Sequence, residues 1–180
     1  MIRKLVVVVG LLAVSARVGA AQSCSITSTA APPLSCAVTS THSLTVPSLL
    51  SLTMSGFTAG TSQTLNAPTA MSDFSSGNTI QIATTGPAFV VKANRAYKVQ
   101  ISAATAAFSG TSYAKPAGDV AWSTAAGGTF TALSTTAADV QTGAATAAAN
   151  GGIFYKTTYN FTQDVPGTYT LDVTYTLVAP

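Results

Sequence analysis

Thr168-Tyr169-Thr170-Leu171-Asp172-Val173-Thr174-Tyr175-Thr176-Leu177 alternates polar and apolar residues without a fault. Successive side chains on a strand point to opposite faces, so Tyr169, Leu171, Val173, Tyr175 and Leu177 share one face while the threonines and Asp172 share the other. One face suits a core and the other water, as in a half-buried antiparallel sheet. Just upstream, Ile153, Tyr155, Tyr159 and Phe161 fall on one parity, and Asp164-Val165-Pro166-Gly167 is a turn signal. The pattern predicts a C-terminal hairpin, 153–162 against 167–178.

Working outward, Leu44, Val46, Leu50, Leu52 and Met54 share a parity and predict a long first strand, interrupted near Pro47, which has no N–H to give a ladder. Residues 57–77 are rich in Gly, Ser, Thr and Pro and read as a long connection with a short strand near Thr64 and Leu65. Ile80 and Ile82 open the next strand. Phe89–Lys92 and Tyr97–Ser102 flank Ala93-Asn94-Arg95-Ala96, and 119–124 and 129–133 flank Ala125-Ala126-Gly127-Gly128; both pairs read as hairpins. The Ala/Thr/Gly-rich stretch 134–152 reads as mainly a mobile surface loop, with a helix over 142–150 as its rival, since alanine favours helix but no apolar stripe would dock it. Seven to nine strands with regular turn signals predict an all-β fold, an immunoglobulin-like antiparallel β-sandwich.

Arg3 and Lys4, an apolar run from Leu5 to Val14, and the small residues Gly19, Ala20 and Ala21 have the layout of a secretory signal peptide. That run falls short of the ~20 residues that span a bilayer. The expected organisation is therefore a leader over 1–21, a disulfide-looped segment over 22–42 and a β-sandwich domain over 43–180. Localisation is expected to be secreted: periplasmic, cell-surface or extracellular.

Arg3, Lys4 and Arg17 leave with the leader, so five basic residues face five aspartates and the net charge falls near zero. No basic patch for nucleic acid remains, no membrane span is expected after leader removal, and so few charges do little to keep copies apart. Cys24 and Cys36 are an even pair in an oxidising compartment; a bridge across so short a loop contributes about 3 kcal/mol in the chain-entropy model.

The tail 164–177, with Asp164-Val165-Pro166-Gly167-Thr168-Tyr169-Thr170 leading into Val173-Thr174-Tyr175-Thr176-Leu177, resembles the last hairpin of bacterial secreted immunoglobulin-like modules, including the spore-coat-U-like and pilus-subunit-like groups. The resemblance covers about the last thirty residues and implies a surface, coat or fibre role. The Cys24/Cys36 loop departs from the usual pilin arrangement.

Catalytic chemistry finds few residues to carry it. His42 is the only histidine, which excludes any site needing two or three imidazoles, and the Gly-x-Ser-x-Gly elbow is absent. Asp164 is explained by its turn, Asp172 by the water face of its strand, and Asp119 and Asp139 by strand ends. No catalytic, metal or cofactor residues are therefore assigned. Trp122 and Tyr113, with Tyr155 and Tyr159 nearby in pattern, are the candidate platform for stacking a glycan. The competing reading is core, because Tyr155 and Tyr159 share parity with Ile153 and Phe161, and Trp122 with Val120. Lys98 and Lys156, the lysines weighed for isopeptide cross-links, read as solvated. The expectation is a non-enzymatic secreted structural protein engaging copies of itself or other surface proteins; a carbohydrate-binding module using Trp122 is the alternative.

Overall fold

The computed structural model describes residues 36–38, 40–56 and 63–180. The expected leader 1–21 and Cys24, one half of the expected disulfide, lie outside the described residues. The chain divides into two units, Met1–Thr45 and Val46–Pro180, and the second holds every strand found among the described residues.

The fold is an all-β antiparallel sandwich, with eight strands among the described residues: β1 (Leu50–Ser55), β2 (Thr79–Ala93), β3 (Tyr97–Ala103), β4 (Val120–Ser123), β5 (Thr131–Ala132), β6 (Ala138–Gly143), β7 (Thr146–Asn160) and β8 (Val173–Val178). One sheet runs β1-β2-β7-β4-β5 and the other β6-β3-β8. Labelling the strands on the immunoglobulin plan, β1-β2-β7-β4 stand as A-B-E-D and β3-β8 as C-F. Two departures are clear. Strand β6 pairs beside C although it follows D in the chain, and among the described residues no strand fills the position of G beside β8.

Alternation builds the core. Phe89 and Val91 of β2, Val99 and Ile101 of β3, and Ile153 and Tyr155 of β7 are all buried and form one cluster with Trp122. Leu171, Val173, Tyr175 and Leu177 are half-buried against it, while Asp172, Thr174 and Thr176 are exposed, so the predicted faces of the tail are the observed ones. The hydroxyls of Tyr155 and Tyr175 hydrogen-bond to each other across the two sheets.

Several predicted pairings are corrected. The expected hairpin of 153–162 with 167–178 does not form: β7 and β8 belong to different sheets, and β8 pairs with β3 (Val99↔Leu177, Ile101↔Tyr175). The strand proper begins at Val173, preceded by an isolated bridge between Ser109 and Thr170. Likewise, Phe89–Lys92 and Tyr97–Ser102 are not a hairpin, because the chain turns at Asn94 from one sheet to the other. Asn94 fixes that corner by accepting from Leu49 N–H and donating to the Pro47 carbonyl. In both cases alternation identifies an inward face, which a strand in the opposite layer satisfies as well as a neighbour in the same sheet.

The first strand is only Leu50–Ser55; Leu44 and Val46 are 87% and 67% exposed and unpaired in any sheet. Thr64 and Leu65 are not in a strand. The 134–152 stretch is neither loop nor helix: it supplies β6 and the first half of β7. The β4/β5 hairpin forms as predicted, shortened to Ala121↔Ala132 and Trp122↔Thr131. Ile80, Ile82 and Phe89 lie on one continuous strand, β2, which passes a register shift between Thr85 and Ala88 at Gly86-Pro87, the place where a proline fits a ladder.

Candidate functional site

Two places stand out in the Val46–Pro180 unit: the open edge at β8 and a buried lysine. Strand β8 has β3 on one side and, among the described residues, no hydrogen-bonded strand on the other, which makes it an edge of the smaller sheet. Its apolar side chains are only half-buried. Strand β1, the edge of the other sheet, approaches β8 without pairing to it. Arg95 ties the end of this region together, donating to Ser48 Oγ at 3.3 Å and to the Pro180 carbonyl at 3.0 Å.

Lys115 is 2% exposed. Its three ammonium hydrogens are matched by Asp164 Oδ2 at 2.7 Å, the Thr158 carbonyl at 2.7 Å and Asp119 Oδ2 at 2.9 Å. The Tyr159 ring lies beneath Nζ, 5.2 Å from it to the centroid. Burial alone lowers an ammonium's pKa, but the hydrogen bonds that Lys115 donates to Asp164 and Asp119, together with their charges, outweigh it and hold Lys115 above the ordinary lysine value. The backbone positions the group on both sides. The Lys115 carbonyl accepts from Phe108 N–H, Ala117 N–H reaches Ala106, and the Asp164 N–H closes a turn onto the Asn160 carbonyl while its Oδ2 accepts from Asn160 N–H at 3.0 Å. Asp164 Oδ1 is buried with no hydrogen-bond partner among the described residues.

This cluster corrects two readings of the sequence. Asp164 is not merely a turn residue, and Asp119 is not merely a strand-end residue; both face a buried cation. Lys115 itself carried no sequence signal, because it lies outside every alternating run. The one local hint is its spacing of four from Asp119.

The other weighed residues lie apart from any shared site. Trp122 is 7% exposed and belongs to the core cluster, so its indole offers no open face to a sugar. Tyr113 is half-buried and its hydroxyl donates to Gln163 Oε1 at 3.4 Å. Lys98 pairs with Asp139 at 2.7 Å with both side chains more than a third exposed; that lysine, followed by Gln100, holds the Asp139 carboxyl below its usual range. Lys156 stands 4.4 Å from the centroid of the Phe130 ring. His42 is exposed beside Ser40. Among the described residues no trio of His, Cys, Asp or Glu is placed to hold a metal ion, and no helix is long and apolar enough to cross a membrane. An open groove of about 560 Å³ is lined by Leu49, Leu50, Ser51, Lys92, Ala93 and Asn94 together with Thr146 and Ala147.

Comparison with family models, with curated proteins and with solved structures returns no match.

Proposed function

We propose that the chain is a non-enzymatic structural protein of an extracytoplasmic surface, of the coat, fibre or adhesion kind, and that it associates with copies of itself by strand addition at β8. The observation that carries this reading is that, among the described residues, no strand fills the G position of the sandwich. A β8 edge that pairs with no strand on its outer side among the described residues, with Val173 and Leu177 half-buried, is a template for an incoming alternating strand. The chain also supplies a segment of that kind. Leu44 and Val46 alternate with polar Thr45 and Pro47, stand 87% and 67% exposed, and belong to no sheet of their own. A strand from a second copy would complete the smaller sheet and cover the apolar face that β8 leaves half open. Near-zero charge after loss of the leader opposes such contact little.

The leader pattern and the Cys24/Cys36 pair support the compartment. A glycan-binding role through Trp122 has no supporting geometry, since that ring is in the core. Sedimentation velocity on the leader-free protein over a wide concentration range is the test. Oligomers are expected, and a Leu44→Asp, Val46→Asp double variant, altered outside every strand, is expected to sediment as a folded monomer. A wild-type protein that stays monomeric at high concentration overturns strand addition, and other surface proteins then become the partners to seek.

A further inference from the structure

We propose that Lys115 and Asp164 are joined in the mature protein by an intramolecular isopeptide bond, Nζ to Cγ, with Asp119 carrying the protons of the condensation. Three observations converge. The nucleophile is enclosed: Lys115 is 2% exposed, and the side chain of Asp164 is 12% exposed. The reacting groups are brought together: Nζ is held 2.7 Å from Asp164 Oδ2, which by covalent geometry leaves it roughly 3–4 Å from the carboxyl carbon, so that little motion separates it from attack. A second carboxylate, Asp119, lies 2.9 Å from the same Nζ.

The chemistry balances without any co-reactant. Asp119 takes a proton from the Lys115 ammonium and frees the nitrogen lone pair, which attacks Cγ of Asp164. Oδ2, the oxygen already accepting from Asn160 N–H, carries the developing negative charge, and that backbone donor stabilises it. Oδ1, which no donor among the described residues holds, is the oxygen that departs. Asp119 delivers the protons lost by nitrogen to Oδ1, the Cγ–Oδ1 bond breaks, and water leaves. One ammonium and one carboxylate have become an amide and a water, and Asp119 ends as it began. The product satisfies its own polar atoms: the remaining Nζ–H can donate to the Thr158 carbonyl and the amide oxygen keeps Asn160 N–H. A salt bridge this deeply buried has a large desolvation cost, and condensation removes both charges from the interior.

The link would clamp the 106–119 region to the end of β7, a place where no ladder joins them except through β4. It does not depend on strand addition at β8, and its test is separate. Trypsin cuts after Lys98 and Lys156 but not at Lys115-Pro116. In a digest of the denatured, reduced protein, residues 99–156 and 157–180 are therefore expected as one species, lighter by one water than the two peptides together. Two separate peptides at full mass from the wild-type protein overturn the proposal, whatever the variants do. Asp164→Ala and Asp119→Asn are each expected to release the peptides separately. A linked species that persists in Asp164→Ala overturns the assignment of the acceptor, and one that persists in Asp119→Asn overturns the role of the proton carrier.

Discussion

Thr146–Gly152 and Ile153–Asn160 are two halves of one strand, β7, and they are built from opposite kinds of residue. In the second half the inward side chains Ile153, Tyr155 and Thr157 are buried and supply core of their own. In the first half the residues are Thr, Ala, Asn and Gly, and the volume comes from across the ladder. Phe89 pairs with Gly151, and a Cβ on that glycine would stand 2.1 Å from Phe89 Cζ. The same device recurs in β6, where Tyr97 pairs with Gly143 and a Cβ there would stand 2.6 Å from the ring. A strand of small residues is stable when its neighbour's aromatic ring lies over it, so its hydrophobic pattern is written on the partner strand.

The largest expected effect tests how the heavy half is sealed to the opposite sheet. Burial first, with the neighbouring hydroxyl of its partner adding to it, pushes the pKa of Tyr155 far above the usual value, and burial raises that of Tyr175. A folded-state pKa above the unfolded value of about 10 means the contribution is complete below pH 10 and is lost as pH rises beyond it, by up to about 1.4 kcal/mol per pH unit for each tyrosine. Alkaline unfolding followed by circular dichroism should therefore coincide with the rise in tyrosinate absorbance for this pair. Ionisation near pH 10 with the fold intact would mean that the heavy half is open to water.

Next in size is Ile153→Ala. The side chain is 1% exposed at the centre of the cluster, and truncation there is expected to cost about 2–5 kcal/mol in urea unfolding. The light half answers differently, since adding atoms is what harms it. Gly151→Ala pushes a methyl group into Phe89, itself 1% exposed and unable to swing away, and should cost about 1–3 kcal/mol. Gly152→Ala, one residue on, meets nothing within 4 Å and is expected to be neutral or stabilising by up to about 1 kcal/mol. Equal losses at 151 and 152 would remove the aromatic cover as the explanation. Recovery of Gly151→Ala by Phe89→Leu would sharpen it.

This contrast also accounts for what the sequence disclosed. Residues 171–177 alternate with large side chains, and their two faces were legible as they stand. The 134–152 stretch was not, because alternation of Ala, Thr and Gly carries no volume until Phe89 and Tyr97 are known to lie opposite. Pairing was legible only where the turn was tight and both strands stayed in one layer, as at Ala125–Gly128 between β4 and β5. At Asn94 and at 161–172 the chain changes sheet, and parity is the same for a facing strand as for an adjacent one. Lys115 escaped for another reason: a spacing of four from one carboxylate fits a solvated lysine as well as a buried one, and the carboxylate that completes the cluster is forty-nine residues away.

The smallest expected effect returns to the tail. Asp172 is exposed on the water face of the segment entering β8, between half-buried Leu171 and Val173. Its backbone carbonyl accepts from Ala104 N–H, a bond that survives truncation of the side chain. Asp172→Ala should therefore change stability by no more than about 0.5 kcal/mol. Leu171→Ala should cost about 1–2 kcal/mol, below the range of a fully buried leucine because half of its surface is already wet. Urea unfolding of the two variants side by side is the measurement. An Asp172→Ala loss as large as that of Leu171→Ala would mean that the outward face of this segment is covered in solution. That face adjoins the open β8 edge, so the cover would be another chain, and repeating the pair below the concentration at which assemblies persist should return the aspartate variant to wild-type stability.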